Sequence, residues 1–233
     1  TNKPSDVSEG NLKAYFSGAG NSSDGIRANF GISTGKWYWE YIELGLYSVG
    51  GVGTSSHIFT TILGYGTDGW GYSYSGGANK IHNGSIDSSP YGSAHSTGDI
   101  IGVLVDMTSG SGSGTITFYL NGTSMGVAYS NLYGTVSPMW ADNSNGTNII
   151  ANFGQDHTFG GYPNSLASSS GYSDANGIGS FYYQPPTGAL ALCTANLPDP
   201  DIDPAVDDLP EDNFKAVTWT GDGSNPRDIS IGF

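Results

Sequence analysis

From Leu12 to about Phe159 short apolar stretches alternate with clusters of Gly, Asn and Ser, the pattern of strands joined by tight turns. Gly98-Asp99 leads into IIGVLVDM, a continuous apolar run suited to a strand covered on both faces. After the flexible TSGSGSG comes TITFYLNGTSMGVAY. Its Asn121-Gly122 pair fits a two-residue type I′ turn, in which both residues take φ > 0. That turn sets Leu120 opposite Thr123, Phe118 opposite Met125 and Ile116 opposite Val127. These form an apolar face, with Thr117, Tyr119 and Ser124 on a wet one. In GKWYWEY, alternation puts Trp37, Trp39 and Tyr41 on one side and Lys36, Tyr38, Glu40 and Ile42 on the other. Both charges lie away from the Trp rings, so the aromatics read as the inward face of a sandwich strand rather than a ligand platform.

Outside this region the pattern changes. Residues 1–11 are polar and extended. Residues 160–180 are rich in Gly, Ser and Asn without periodicity and read as an irregular loop or linker. FYYQPPTGALALCTANLP is apolar but broken by Pro185-Pro186, and DPDIDPAVDDLPED carries seven acids from Asp199 to Asp212. FKAVTWTGDGSNPRDISIGF alternates like a strand, a turn and a second strand. The division expected is a sandwich over 1–159, a connector over 160–213 and a hairpin-like start of a further module over 214–233. No internal repeat is evident.

Composition supports an all-β class. Glycine supplies 37 of 233 residues, and runs of strong helix formers are missing. The net charge is −14 with only seven Lys and Arg, half of it after Ser180. That balance argues against nucleic acid and anionic membrane surfaces as partners. No apolar run is long enough for a membrane-spanning helix.

Few residues invite chemistry. The single cysteine, Cys193, excludes an internal disulfide; it sits in an apolar stretch without a nearby His and reads as a buried structural thiol. His57, His82, His95 and His157 are dispersed, form no ligand pair and read as loop or surface residues. The Gly clusters lack the strand-to-helix context of a phosphate loop. The acidic run lacks the Gly and terminal Glu of an EF-hand and reads as a solvated, Pro-stiffened linker. The Asn-Gly-Ser/Thr triplets at Asn83, Asn121 and Asn145 match glycosylation sequons, but turns explain them better. No metal or cofactor is expected.

Six segments carry a resemblance when taken in order: GISTGKWYWEYIEL, GGVGT, GYGTDGWGYSYSGGANKIHNGS, YGSAHSTGDIIGVLVDM, GTITFYLNGTSMGVAYSNL and VSPMWADNSNGTNIIANFGQ. Together they resemble the SPRY domain over roughly Asn11 to Phe159. The resemblance implies a bent antiparallel β-sandwich of concanavalin-like topology. QPPTGALALCTANLPDPDIDP, followed by a Thr-Gly-Asp-Gly-Ser stretch, looks like the connectors of tailed-bacteriophage virion proteins. This second resemblance implies a tail fibre, tail-associated or capsid-surface protein on a virion. Its partners would be other virion proteins or a host-surface glycan or protein. Homo-oligomerisation suits that class, though no heptad or collagen-like repeat argues for it.

Concanavalin-like sandwiches also host glycosidases, which need two carboxylates about 5–5.5 Å apart. The chain has only Glu9, Glu40, Glu43 and Glu211, and Glu40 and Glu43 point to opposite faces of one strand. Binding without catalysis is therefore expected. SPRY domains grip partners through loops at one end, which places candidate contacts at Trp70, Tyr72, Tyr74, His82 and Asn83 and at Trp140, Asp142 and Asn143. Aromatics among Gly, Ser and Asn suit protein contacts or sugar stacking. A strand reading of Tyr72 and Tyr74, with one face in the core, competes with this. The alternative class is a secreted or surface lectin.

Overall fold

The computed structural model describes residues 6–17, 24–45, 48–59, 61–73, 78–87, 91–142, 146–162 and 169–197, with isolated positions at 216, 218, 220, 221 and 223. The chain divides into two units, Thr1–Asn196 and Leu197–Phe233, and the strands among the described residues lie in the first. The acidic run and nearly all of the hairpin expected over 214–233 lie outside the described residues.

In chain order the strands are β1 (Asp6–Ser8), β2 (Lys13–Phe16), β3 (Gly25–Arg27), β4 (Lys36–Glu43), β5 (Ser48–Thr54), β6 (Gly69–Ser73) and β7 (Asn79–His82). There follow β8 (Ser85–Asp87), β9 (Ile100–Asp106), β10 (Gly114–Leu120), β11 (Thr123–Leu132), β12 (Val136–Asp142), β13 (Thr147–Asn152) and β14 (Leu190–Ala191). One sheet runs β1-β2-β13-β4-β9-β10-β11, with β14 beside β4; the other runs β3-β12-β5-β6-β7-β8. All pairs are antiparallel except β14 with β4. The all-β sandwich is therefore as expected.

Between the sheets lies a core that includes Phe16, Trp39, Tyr41, Val52, Trp70, Tyr72, Val103, Phe118 and Trp140. Trp37, Trp39 and Tyr41 join it, as alternation along GKWYWEY requires. The IIGVLVD strand is buried along its length up to Asp106, as a strand covered on both faces must be.

The opposite face of β4 differs from expectation. Tyr38, Glu40 and Ile42 are buried, although they lie on the side away from the Trp rings. Residues 169–196 cross this outer face. Phe181 meets Tyr38 at 5.3 Å, and Tyr38 meets Tyr119 of β10 edge-on at 6.1 Å. Tyr182 packs in a second outer cluster with Ile42, Ile100, Ile150 and Phe159. β13 pairs with β4 only from Glu43 to Glu40, and β14 pairs with β4 at Trp37 and Tyr38. β9 occupies the other edge of β4 throughout, so β14 takes the edge that β13 has left.

Aperiodicity concealed this strap because a single loop builds it. The Asp174 carboxylate accepts the N–H groups of Asn176, Ile178 and Ala191 at 2.9, 2.8 and 2.7 Å and the Asn196 amide at 2.7 Å. Such a loop satisfies its own backbone locally and needs no ladder. Cys193 is partly buried at its edge, against the Tyr38–Phe181 cluster.

The β10–β11 turn is as expected, with Asn121 at φ 47° and Gly122 at 79°. Leu120 faces Thr123 and Tyr119 faces Ser124. Beyond Ser124 the register departs: Thr117 faces Val127, Ile116 faces Tyr129 and Gly114 faces Leu132. Each step places an extra residue on β11, so the expected Ile116–Val127 pair does not form. Val127 turns outward, 57% exposed, while Ala128 and Leu132 turn in. Bulges of this kind bend an edge strand and blunt it against pairing with another chain.

The second sheet has its own cover. Residues 55–59 and 61–68 fold over its outer face, where Leu63 packs with Val49, Ile81, Met139 and Ala141 beside Phe59 and Ile62. Phe59 lies so close on β3 that any Cβ at position 25 would overlap its ring, which explains Gly25. Deleting the core side chain of the strap tests whether it belongs to the folded unit. Phe181→Ala should cost about 3–5 kcal/mol in urea unfolding, the range for a fully buried Phe. A loss below about 1 kcal/mol would show the strap to be dispensable.

Candidate functional site

The eight residues expected to bind a ligand fall into three groups. Trp70 and Tyr72 are strand residues of β6 whose side chains fill the core between the sheets. Gly69, Gly71 and Ser73, which alternate with them, are buried as well, so this strand is covered on both faces. Trp140 and Asp142 are likewise buried, at 3% and 1% exposure, in β12. His82 and Asn83 are closer to solvent, with Asn83 exposed at φ 54° in a turn with Gly84. Tyr74 and Asn143 lie outside the described residues.

His82 caps the core instead of offering a free ring. It stacks on Trp70 at 5.0 Å with planes 14° apart. Its Nδ1 faces the Gly69 carbonyl at 2.8 Å and therefore carries the proton. Nε2 then accepts from the Asn131 amide at 3.3 Å, while Asn131 Oδ1 accepts the Trp70 indole N–H at 3.0 Å. The chain of bonds closes without an external partner.

Two further histidines, read as loop or surface residues, stand in loops between strands but are buried against carboxylates. His95 donates through Nε2 to Glu43 at 2.8 Å, both side chains 1% exposed, and the other Glu43 oxygen accepts the Ser48 N–H at 2.8 Å. The Tyr72 hydroxyl adjoins His95 Nδ1 at 3.2 Å. This group joins β4, β5 and the 91–99 segment and has no access for a substrate; its role is cohesion. His57, 4% exposed, meets Asp68 at 3.1 Å. Among the described residues no three His, Cys, Asp or Glu side chains gather to hold a metal ion.

Glu40 and Glu43 do point to opposite faces, and both are buried. Glu40 holds the strap: it accepts the N–H groups of Tyr182 and Tyr183 at 2.8 and 2.9 Å, the Tyr38 hydroxyl at 3.2 Å and the Asn152 amide at 3.4 Å. Burial pushes its carboxyl up from the usual 4.5 to about 7, while the Tyr183 and Tyr182 N–H groups pull it back down.

The surface that sequence reasoning missed is the 55–68 cover. Ile58 stands 66% exposed and Tyr65 40%, with Phe59 and Ile62 half-buried between solvent and the sheet. The segment is fixed from below. Arg27 of β3 donates to the Ser55 and His57 carbonyls at 3.3 and 2.6 Å, and Asp68 holds His57. The signal was HIFTTIL, an apolar run between two strands that needed no such run to connect them.

A family model for the SPRY domain matches residues 36–156, more than half of the chain, and the chain belongs to that family. Ran-binding protein 9 of Xenopus tropicalis is 30% identical over 156 residues, covering 64% of this chain and 28% of that protein. The Ran-binding proteins 9/10 homolog of Drosophila melanogaster is 27% identical over 157 residues, covering 64% and 16%. The chain thus spans less than a third of the length of these curated relatives. Among solved structures, the SPRY domain of human HERC1 superposes with a TM-score of 0.51 at 21% identity, covering 62% of this chain and 89% of that one. A second human SPRY domain gives 0.52 at 15% identity, covering 60% and 90%. The strap at 169–196 lies outside the residues matched by the family model.

The pH dependence of Glu40 has a definite sign. Between about pH 4.5 and 7 the folded chain keeps a proton that the unfolded chain has released, so stability falls as pH rises through that window. The urea midpoint should drop between about pH 5 and pH 8, and Glu40→Gln should reduce that slope. Equal slopes in both proteins would mean that Glu40 does not titrate there.

Proposed function

We propose that the protein is a non-catalytic protein-binding module whose contact surface is the 55–68 cover on the second sheet. Ile58 is the apolar anchor, with Phe59, Ile62 and Tyr65 around it. The observation that carries this reading is that Ile58 is 66% exposed on a segment whose backbone is held by Arg27 and by the Asp68–His57 contact. An apolar side chain kept in water on a fixed frame loses little conformational freedom when a partner covers it. The relatives named as Ran-binding proteins support a protein as the partner and make Ran the first candidate. The narrower reading, a virion component that adheres to a host surface or to other virion proteins, rests only on the resemblance of the 184–204 region and the Thr-Gly-Asp-Gly-Ser stretch after it.

The test is affinity capture with Ran and, in parallel, with extracts, comparing wild type with Ile58→Asp and with Trp70→Ala. Ile58→Asp should weaken capture about tenfold or more and leave the melting curve within about 0.5 kcal/mol of wild type. Trp70→Ala should lower stability by about 3–5 kcal/mol, as expected of a core residue. Capture unchanged by Ile58→Asp would move the contact surface elsewhere.

A further inference from the structure

Three Asn-Gly pairs lie among the described residues, and the fold holds their side chains differently. Asn121-Gly122 joins β10 to β11, and the Asn121 side chain is tied at both ends. Its Oδ1 accepts the Ile100 N–H at 2.9 Å and its Nδ2 donates to Asp99 at 2.8 Å. The strap closes over the same turn, where a Cβ at position 122 would stand 2.7 Å from the Tyr183 ring. Asn176-Gly177 belongs to the Asp174 loop; Asn176 Nδ2 donates to Asn196 at 2.9 Å and the Gly177 N–H to the Asp174 carbonyl at 3.1 Å. Asn83-Gly84 joins β7 to β8 at φ 54° and 70°. Asn83 is exposed, and its side chain has no partner among the described residues.

The two hairpins differ in strength as well. β10 has seven residues and β11 ten, and β10 also pairs along β9. β8 has three residues, all exposed, and ends its sheet. Local opening costs least at such an edge, where few apolar contacts oppose it. The Asn83 turn nevertheless supports the cover. The Asn83 N–H donates to the Gly66 carbonyl at 3.1 Å and the Gly84 N–H to the Gly64 carbonyl at 3.3 Å. The second bond is longer than the usual range of about 2.7–3.2 Å, so the Gly84 nitrogen is weakly held. At Gly64 a Cβ would overlap the Ile81 carbonyl, so cover and β7 are in close contact there.

We propose that Asn83 is a site of spontaneous deamidation in the folded protein, that Asn121 and Asn176 are protected, and that conversion at Asn83 loosens the cover at residues 64–66. The co-reactant is water. The Gly84 backbone nitrogen gives up its proton and bonds to Asn83 Cγ; the Cγ–Nδ2 bond breaks, and Nδ2 leaves as ammonia with the proton restored to it. The cyclic imide then adds water at one of its two carbonyl carbons. Breaking the ring bond at Cγ gives aspartate, and breaking it at the backbone carbonyl gives isoaspartate, whose main chain is longer by one carbon. Nothing is oxidised or reduced. Glycine at 84 favours ring closure because no Cβ obstructs the nitrogen as it swings onto Cγ. A lengthened main chain cannot keep the two-residue turn, so the N–H groups that hold Gly64 and Gly66 move away from them. The chemistry stands whether or not the cover meets a partner.

The test ages wild-type protein in mildly alkaline buffer below its melting transition, beside a sample unfolded in guanidinium chloride. Chymotryptic peptides are followed by tandem mass spectrometry for the conversion of amide to acid. In the folded sample Asn83 should convert at least about fivefold faster than Asn121 or Asn176. In guanidinium chloride the three should agree within about threefold, because local sequence alone then acts. The proposal is overturned if Asn83 is not the fastest in the folded sample, or if the same order persists in the unfolded one. For the cover, the converted form is separated by anion exchange and its hydrogen exchange compared with the unconverted form. Residues 61–68 should exchange faster in the converted form, with β9 unchanged; equal exchange overturns the link to the cover. Asn83→Gly keeps a turn-compatible pair and cannot convert, so the aged variant should retain slow exchange at 61–68. Loosening in that variant as well would place the cause elsewhere and overturn the link.

Discussion

A carboxylate buried on the outer face of the central strand governs how the described C-terminal residues can pack. Glu40 lies between β13 and β9 in a sheet whose other face is core, so water reaches it from neither side. An uncompensated charge there would cost several kcal/mol. What compensates it is backbone, the successive N–H groups of Tyr182 and Tyr183, which reach the carboxylate only if the strap lies across β4. Phe181 is then delivered against Tyr38, Tyr182 against Ile42, and Leu190–Ala191 into register with Trp37–Tyr38. Glu43, three residues on, acts in the same way on the inner face through His95 and Ser48. One strand thus fastens both of its surfaces with acids that occupy apolar surroundings.

The sequence was most legible where structure is local. The Asn121-Gly122 turn needs two residues in one conformation, and the continuous apolar run of β9 needs only burial on both sides. The aromatic alternation of β4 was equally plain. Legibility failed where the deciding partner lies far along the chain. Glu40 reads as a surface charge until residues 182 and 183 are known to cover it. The β11 bulges come from extra residues that the hairpin turn cannot report, because Ala128 and Leu132 seek the core regardless of strict alternation.

The candidate site shows the same division in a different form. The glycine neighbours of Trp70 and Tyr72 suggest a loop, whereas Gly69 and Gly71 make room for His57, Leu63 and Gly64 of the cover. At Gly71 a Cβ would stand 3.1 Å from the Leu63 carbonyl of the cover. Glycine between aromatics here marks a strand lying under another layer. The HIFTTIL segment carried the opposite information: apolar residues where a turn alone would have sufficed.

Both sheets are covered on the outside, but the two covers end differently, and the difference bears on function. The strap buries Phe181 fully and Tyr182 nearly so, and leaves Tyr172 at its start 42% exposed. The 55–68 segment buries Leu63, only half-buries Phe59 and Ile62, and leaves Ile58 and Tyr65 to solvent. A cover needed only for stability would gain by burying Ile58 as well, at about 25 cal/mol per Å² of apolar surface. The backbone contacts from Arg27 and Asp68 fix the segment without using that gain. Long-range electrostatics would act beside such an anchor in a different way. A chain of net charge −14 attracts a basic partner from a distance, which raises the rate of encounter more than the strength of the final contact. The apolar side chains would then set how long the partner stays, so salt should act mainly on association and truncation of Ile58 mainly on release.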